Sequence, residues 1–198
     1  MKSLAIYIDF KSAASYLAME ATLKLIQSEK IDVVWKPYQV RVQAIADKKE
    51  IETVTESHLR VRETQRQQTH LKYAAIQGKP MAFQREPKGS GAALIALAQL
   101  DCDPVEYIQA AFLAYWQDGL DLDDPAIVKA ILRQCGVESS SISFDQRGND
   151  ILATQQIEAE AQGVFDTPMY VVGSDRFLGR EQLSWMFVFQ AEDGIRDF

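Results

Sequence analysis

The spacing of apolar and polar positions divides the chain into a β-α-β opening, a helical middle and an α-β-β-α close. Leu4 to Phe10 is a short apolar run rich in Ile and Tyr, the pattern of a buried strand. Between Ser15 and Gln27 apolar residues fall at 16, 17, 19, 23, 25 and 26, which predicts a helix with Ser12 as its N-cap. Residues 31–38, IDVVWKPY, predict a second strand with Pro37 near its end. From about 50 to 135 the pattern is helical. Glu56 to Gln77 is long, polar and charged, and it stops at Gly78-Lys79-Pro80. Gly91 to Leu100 is small and apolar. Asp103-Pro104 opens a helix running to Asp118-Gly119, and Asp123-Asp124-Pro125 opens another that ends at Gly136.

Residues 139–145, SSSISFD, read as a loop, and Asn149 to Gln162 as a helix that stops at Gly163. Met169–Val172 and Arg176–Leu178 flank Gly173-Ser174-Asp175 and predict a hairpin. Gly179 then starts a last helix through Leu183 and Trp185. This order predicts an α/β protein, a thioredoxin-like sheet with an inserted all-helical domain. Residues 1–48 and 146–190 would form the thioredoxin-like domain and 49–145 the insertion. The last eight residues, 191–198 (AEDGIRDF), leave the apolar stripe. They resemble translated sequencing-adapter read-through and are expected to lie outside the function.

Composition narrows the functional classes. The chain has 198 residues, 47% of them hydrophobic, which is enough for a proper core. Its net charge of −7 argues against nucleic acid as a partner, because phosphate binding wants a basic face. The two cysteines, Cys102 and Cys135, form no CxxC pair; both are expected to be buried thiols in helical contexts, in a reducing compartment. The apolar run of MKSLAIYIDF ends at Asp9, too short for a signal peptide, and no stretch is long enough to span a membrane. A cytoplasmic location with no membrane partner is expected. No metal-ligand spacing stands out.

Four stretches could carry chemistry. Ser12 sits between a strand end and a helix start, where free N–H groups and a partial positive charge favour an anion. Its hydroxyl adds one oriented donor; the plainer reading is a simple cap. Thr167-Pro168 precedes a strand, and a cis bond there would expose the Thr167 backbone to a peptide-like ligand; an ordinary strand start is the alternative. Arg180 and Glu181 open the last helix, where Arg180 could bind a carboxylate and Glu181 an ammonium group, or Glu181 could merely offset the helix dipole. Tyr115 and Trp116 end a helix as a flat aromatic surface that could also be core packing.

These stretches occur in an order that resembles the DsbA-like thioredoxin-fold family, in its 2-hydroxychromene-2-carboxylate isomerase and kappa-class glutathione transferase branch. The resemblance spans about residues 4–188. DFKSAASYLA (9–18) is similar to the branch's D-F-x-S-P-[YF]-[SA]-Y-L-A turn. Lys72-Tyr73-Ala74 with Gly78-Lys79-Pro80 resembles its R-W-A…G-x-P helix end. AYWQDGLDLDDP (114–125) resembles Y-W-x-x-G-x-D-x-x-D-P, GVFDTPMYVV (163–172) resembles the cis-proline loop G-V-F-G-V-P-x-x-V, and FLGREQL (177–183) resembles F-x-G-x-D-R-L. The resemblance implies a glutathione-dependent isomerase or transferase acting on a small aromatic or unsaturated substrate. It implies that the Ser12 hydroxyl faces the glutathione sulfur and that Thr167, before a cis Pro168, pairs with the cysteinyl part. Arg180 and Glu181 would hold the γ-glutamyl end. Ser15, Tyr115 and Trp116 would border the substrate pocket. A homodimer is possible on the same ground.

The chain departs from the branch in places. Ala13 and Ala14 stand where the turn has proline and an aromatic, which implies a wider pocket. Asp166 replaces a glycine beside the proline, and Arg180 is bulkier than the usual Asn or Ser. Pro37 to Gln43 replaces P-x-L-L-G-x-x-x-K. Two other readings compete. One is a DsbA-like protein without a CxxC pair that grips an extended peptide at Thr167-Pro168, or a related disulfide oxidoreductase. The other is dithiol chemistry through Cys102 and Cys135, which both fall in the insertion.

Overall fold

The computed structural model describes residues 3–29, 31–40, 53–84 and 86–186. The chain begins with β1 (Leu4–Ile8), α1 (Ala13–Glu29) and β2 (Val33–Pro37). Four helices follow: α2 (Val54–Ile76), α3 (Gly91–Leu97), α4 (Val105–Trp116) and α5 (Pro125–Gln134). A short 3-10 turn at Ser139–Ser141 leads to α6 (Gln146–Ala161), β3 (Met169–Val172) and β4 (Asp175–Leu178). The four strands form one sheet in the order β2-β1-β3-β4. β1 runs parallel to β2 and antiparallel to β3, with Ile6 opposite both Trp35 and Tyr170. β3 and β4 form the antiparallel hairpin. This is the thioredoxin-like sheet, with α2 to α5 inserted between β2 and α6.

The centre of the sheet is apolar on both faces, and the two-residue period sorts its side chains. Leu4, Ile6 and Ile8 join Tyr170 and Val172 in the main core, shared with α1, α3 and α4. Tyr7 points the other way, into a smaller cluster with Met169, Val171, Val164 and Ala159 of α6. The two faces tie β1 into both layers, so the position of its C-terminal end is fixed. A buried hydrogen bond between Thr22 Oγ1 and Tyr170 Oη, 2.7 Å long, clamps α1 to β3.

Several boundaries differ from the sequence expectation, each for a local reason. β1 ends at Ile8 because Asp9 turns the chain, whereas α1 starts at Ala13, as the Ser12 cap predicts. α6 starts at Gln146 because Asp145 accepts the Arg147 N–H at 2.9 Å. After β4 the chain first makes a 3-10 turn, Arg180–Gln182, and becomes α-helical only from Leu183. Cys102 corrects the expectation of two buried helical thiols. It is exposed in the bend between α3 and α4, where Asp101 and Asp103 hold the turn in solvent. Cys135 is half-buried at the C-cap of α5, and both thiols are free. Arg41 to Gln43, the boundary expected at 48/49 and the 191–198 tail lie outside the described residues. Among the described residues no helix is long and apolar enough to cross a membrane.

Candidate active site

The site begins where β1 hands over to α1. The Ser12 N–H donates to Asp9 O at 3.1 Å, closing the turn, and Ser12 O accepts the first helical N–H from Tyr16 at 3.1 Å. The Ser12 side chain does two things. Its Oγ accepts the Ser15 N–H at 3.2 Å, the bond expected of an N-cap to the third helical residue. Its hydroxyl proton goes to Thr167 O, 3.1 Å away and 155 residues along the chain. A cap and a cross-chain tie thus meet on one hydroxyl, at the positive end of a 17-residue helix.

Thr167 is delivered by the end of α6. Gly163 and Val164 donate their N–H groups to Glu160 O and Ala159 O, both at 2.9 Å, a doubly bonded helix stop that requires the left-handed φ of 81° at Gly163. The chain then turns through Phe165 and Asp166 into a cis Thr167-Pro168 bond. The Thr167 N–H is taken by Asp166 Oδ1 at 2.8 Å. Pro168 O accepts the Gly179 N–H at 2.9 Å, which docks the start of the Arg180–Gln182 turn against the proline loop.

Asp9 braces the turn from below. It is fully buried, and its carboxylate accepts from Ser90 Oγ at 2.6 Å, Val40 N at 2.8 Å and Lys11 N at 3.1 Å. Lys11 Nζ stands 3.8 Å from the same carboxylate. Burial pushes the Asp9 carboxyl above its ordinary value, against the pull of Lys11 and of these hydrogen bonds. One side chain thereby joins the end of β1, the segment after β2 and the start of α3.

Above this frame lies a cleft of about 460 Å³. Ser12, Ala13 and Ala14 form its floor with Asp166 and Thr167, and Tyr115 and Trp116 form an aromatic wall. Trp116 is fixed by an indole N–H bond to Phe10 O at 2.9 Å, by Tyr16 stacked at 6.1 Å and by Phe83 edge-on at 5.3 Å. Tyr115 donates its hydroxyl to Lys88 O at 3.0 Å, and both it and Trp116 are also packed into the main core. Burial, helped by Asp9, Asp121 and Asp123, pushes the Tyr115 phenol up to about 12. Much of the remaining lining is polar, with Glu63, Arg66, Gln67 and His70 from α2 and Gln156 and Glu160 from α6, but Val40, Phe83, Pro87 and Phe165 interrupt it with apolar surface.

The structure therefore brings together Ser12, Thr167, Tyr115 and Trp116. Four other expected residues do not line this cleft. Ser15 is corrected: it lies on the buried face of α1 at 1% exposure, and its hydroxyl has no partner among the described residues. Its N–H, not its side chain, belongs to the site. Pro168 is buried behind Thr167. Arg180 sits with its guanidinium 4.1 Å from the centre of the Tyr73 ring, beside Glu181 at 3.7 Å, outside the cleft lining. The polar stripe of α2 was not singled out in the sequence. Glu63, Arg66, His70 and Tyr73 recur at helical spacing, yet they resemble any solvated face until the helix is docked.

A search of curated proteins finds no match to this chain. Solved structures do match. A 2-hydroxychromene-2-carboxylate isomerase aligns with a TM-score of 0.74 at 18% identity, covering 98% of this chain and 97% of its own. The cytosolic disulfide reductase DsbM from Pseudomonas aeruginosa, solved with GSH, aligns at 0.60 and 14% identity over 96% and 98%. Pseudomonas aeruginosa DsbA aligns at 0.56 and 15% identity over 100% and 86%. At these identities the alignments speak for the fold. The family model for the DSBA-like thioredoxin domain matches residues 3–186, from the first strand through the turn that follows the last, and the chain belongs to that family.

Proposed function

We propose that this protein binds reduced glutathione in the cleft and uses its thiol, with Ser12 stabilising the thiolate, in an isomerase or transferase reaction on a small aromatic or unsaturated substrate. One observation carries the reading. A hydroxyl stands at the N-terminus of α1, at the floor of an aromatic-walled cleft, and is bonded to the carbonyl before the cis-proline. Without a ligand the Ser12 proton rests on Thr167 O. A thiol placed over the helix end would draw that proton to its sulfur and lower its own pKa. Thr167 O would then be free to accept an amide N–H from the ligand. The aromatic wall offers a flat surface for the second substrate. The solved GSH complex of a structural neighbour is consistent with this choice of thiol. A disulfide mechanism finds no support in the cleft, whose lining contains neither Cys102 nor Cys135.

The test is a calorimetric titration with reduced glutathione, with Ser12→Ala run beside it. The expected result is binding that weakens about tenfold in the variant, the value of one hydrogen bond to a charged group. Binding unaffected by the substitution would remove Ser12 from the site. No binding by either protein would leave the peptide-gripping reading of the Thr167-Pro168 loop.

A further inference from the structure

The geometry points to His70 as the proton-transfer residue of this cleft, a catalytic role that rests on the glutathione reading above. His70 lies on α2 and lines the cleft that also contains Ser12 and Trp116. Among the described residues its ring is held by packing. It stacks on Phe83 with centroids 6.4 Å apart and planes 16° apart, and Phe83 in turn meets the fixed Trp116 indole edge-on. Its ring nitrogens make no hydrogen bond to any described residue. An imidazole stacked on an aromatic ring beside a cleft, with neither nitrogen committed to a described residue, is arranged to exchange a proton with a ligand.

The charges around it fit this role. Glu63 and Arg66 on α2 form an ion pair at 2.9 Å, and Arg180 and Glu181 approach from the turn after β4. Each pair contains opposite signs, so burial dominates and holds the imidazole below its ordinary value. Near neutral pH the ring is therefore a proton acceptor.

The step balances as follows. His70 takes the thiol proton as the sulfur forms a bond to the β-carbon of an α,β-unsaturated carbonyl. The C=C π pair moves toward the carbonyl, whose oxygen receives that proton from the imidazolium. The former double bond is now single and can rotate. The reverse transfer returns the proton through His70 and expels the sulfur, leaving the isomerised enone; a stable adduct is the transferase outcome.

The experiment uses the full chain, reduced glutathione and benzylideneacetone as a model enone. Wild-type kcat/KM is expected to fall on the acid side as His70 protonates. His70→Gln is expected to lower kcat about a hundredfold and to abolish that acid limb. Glutathione affinity by calorimetry should stay within about twofold, since proton transfer contributes little to ground-state binding. His70→Asn is read alongside in case Gln disturbs folding. His70→Ala should regain rate when free imidazole is added, which a packing role would not produce. Variants that bind glutathione and react at the wild-type rate, or that keep the acid limb, overturn the role of His70 alone. A wild type that binds no glutathione overturns the reading beneath it, and this proposal with it.

Discussion

The Thr167 backbone has both its N–H and its C=O occupied. Its carbonyl accepts the Ser12 hydroxyl, and its N–H is held by the carboxylate of the residue before it, Asp166. A ligand that pairs with this backbone must displace both. The Ser12 bond is exchanged for a bond to sulfur, but the Asp166 carboxylate loses its N–H partner without a replacement, and it lines the same cleft that the thiolate would enter. Asp166→Gly is therefore expected to tighten glutathione binding about three- to tenfold, in line with the net value of one hydrogen bond. Calorimetry measures it, and weaker binding would show that Asp166 assists the ligand. Asp166→Asn keeps an acceptor for the N–H and removes the charge, so it separates the two effects.

Elements deliver these residues, and their legibility in the sequence varied with how local the signal was. Ser12 was readable because a cap, a strand end and a helix start are neighbours in the chain. The proline loop was readable from the resemblance of residues 163–172 to a cis-proline loop, since its place before a short apolar strand suits an ordinary strand start as well. His70 and Phe83 were not, because their meaning lies in how α2 docks on α1 and how the segment after α2 brings Phe83 between His70 and Trp116. α2 spans 23 residues and fully buries only Ala74 among those described, so its sequence carries almost no apolar stripe to announce which face turns inward. The start of α6 was misplaced for a related reason. Gly148 argues against a helix by propensity, yet it sits in the first turn of α6 because nothing larger fits. A Cβ there would lie 2.0 Å from Ser143 O and 2.8 Å from Ile95 Cγ2 on α3. Gly148→Ala is expected to destabilise the protein by about 1–3 kcal/mol, the usual cost of overpacking. Urea unfolding checks it; an unchanged midpoint would mean the 139–145 segment moves aside freely.

At the scale of the molecule the cleft is an assembly of distant parts. Its floor comes from both ends of the chain, its aromatic wall from α4 and its polar wall from α2 and α6. A ligand bound there would bridge segments that must come together on folding, so it should stabilise the whole fold. Reduced glutathione at about a hundred times its dissociation constant should add about 2.7 kcal/mol of apparent stability. A thermal melt should show a midpoint that rises with glutathione concentration, with a smaller rise in Ser12→Ala at the same concentration. A wild-type midpoint indifferent to glutathione would contradict the site.

The absence of a cysteine from the cleft lining has a consequence for the conditions the protein can endure. A catalytic thiol is a target for peroxide, which converts it first to sulfenic acid and then to forms that cannot return. Serine has no such chemistry. Oxidants would reach the exposed Cys102 on the α3–α4 bend and leave the Ser12 turn intact. On the proposed function, activity under oxidative stress would fall only as reduced glutathione is consumed, and it would resume without repair once that supply recovers.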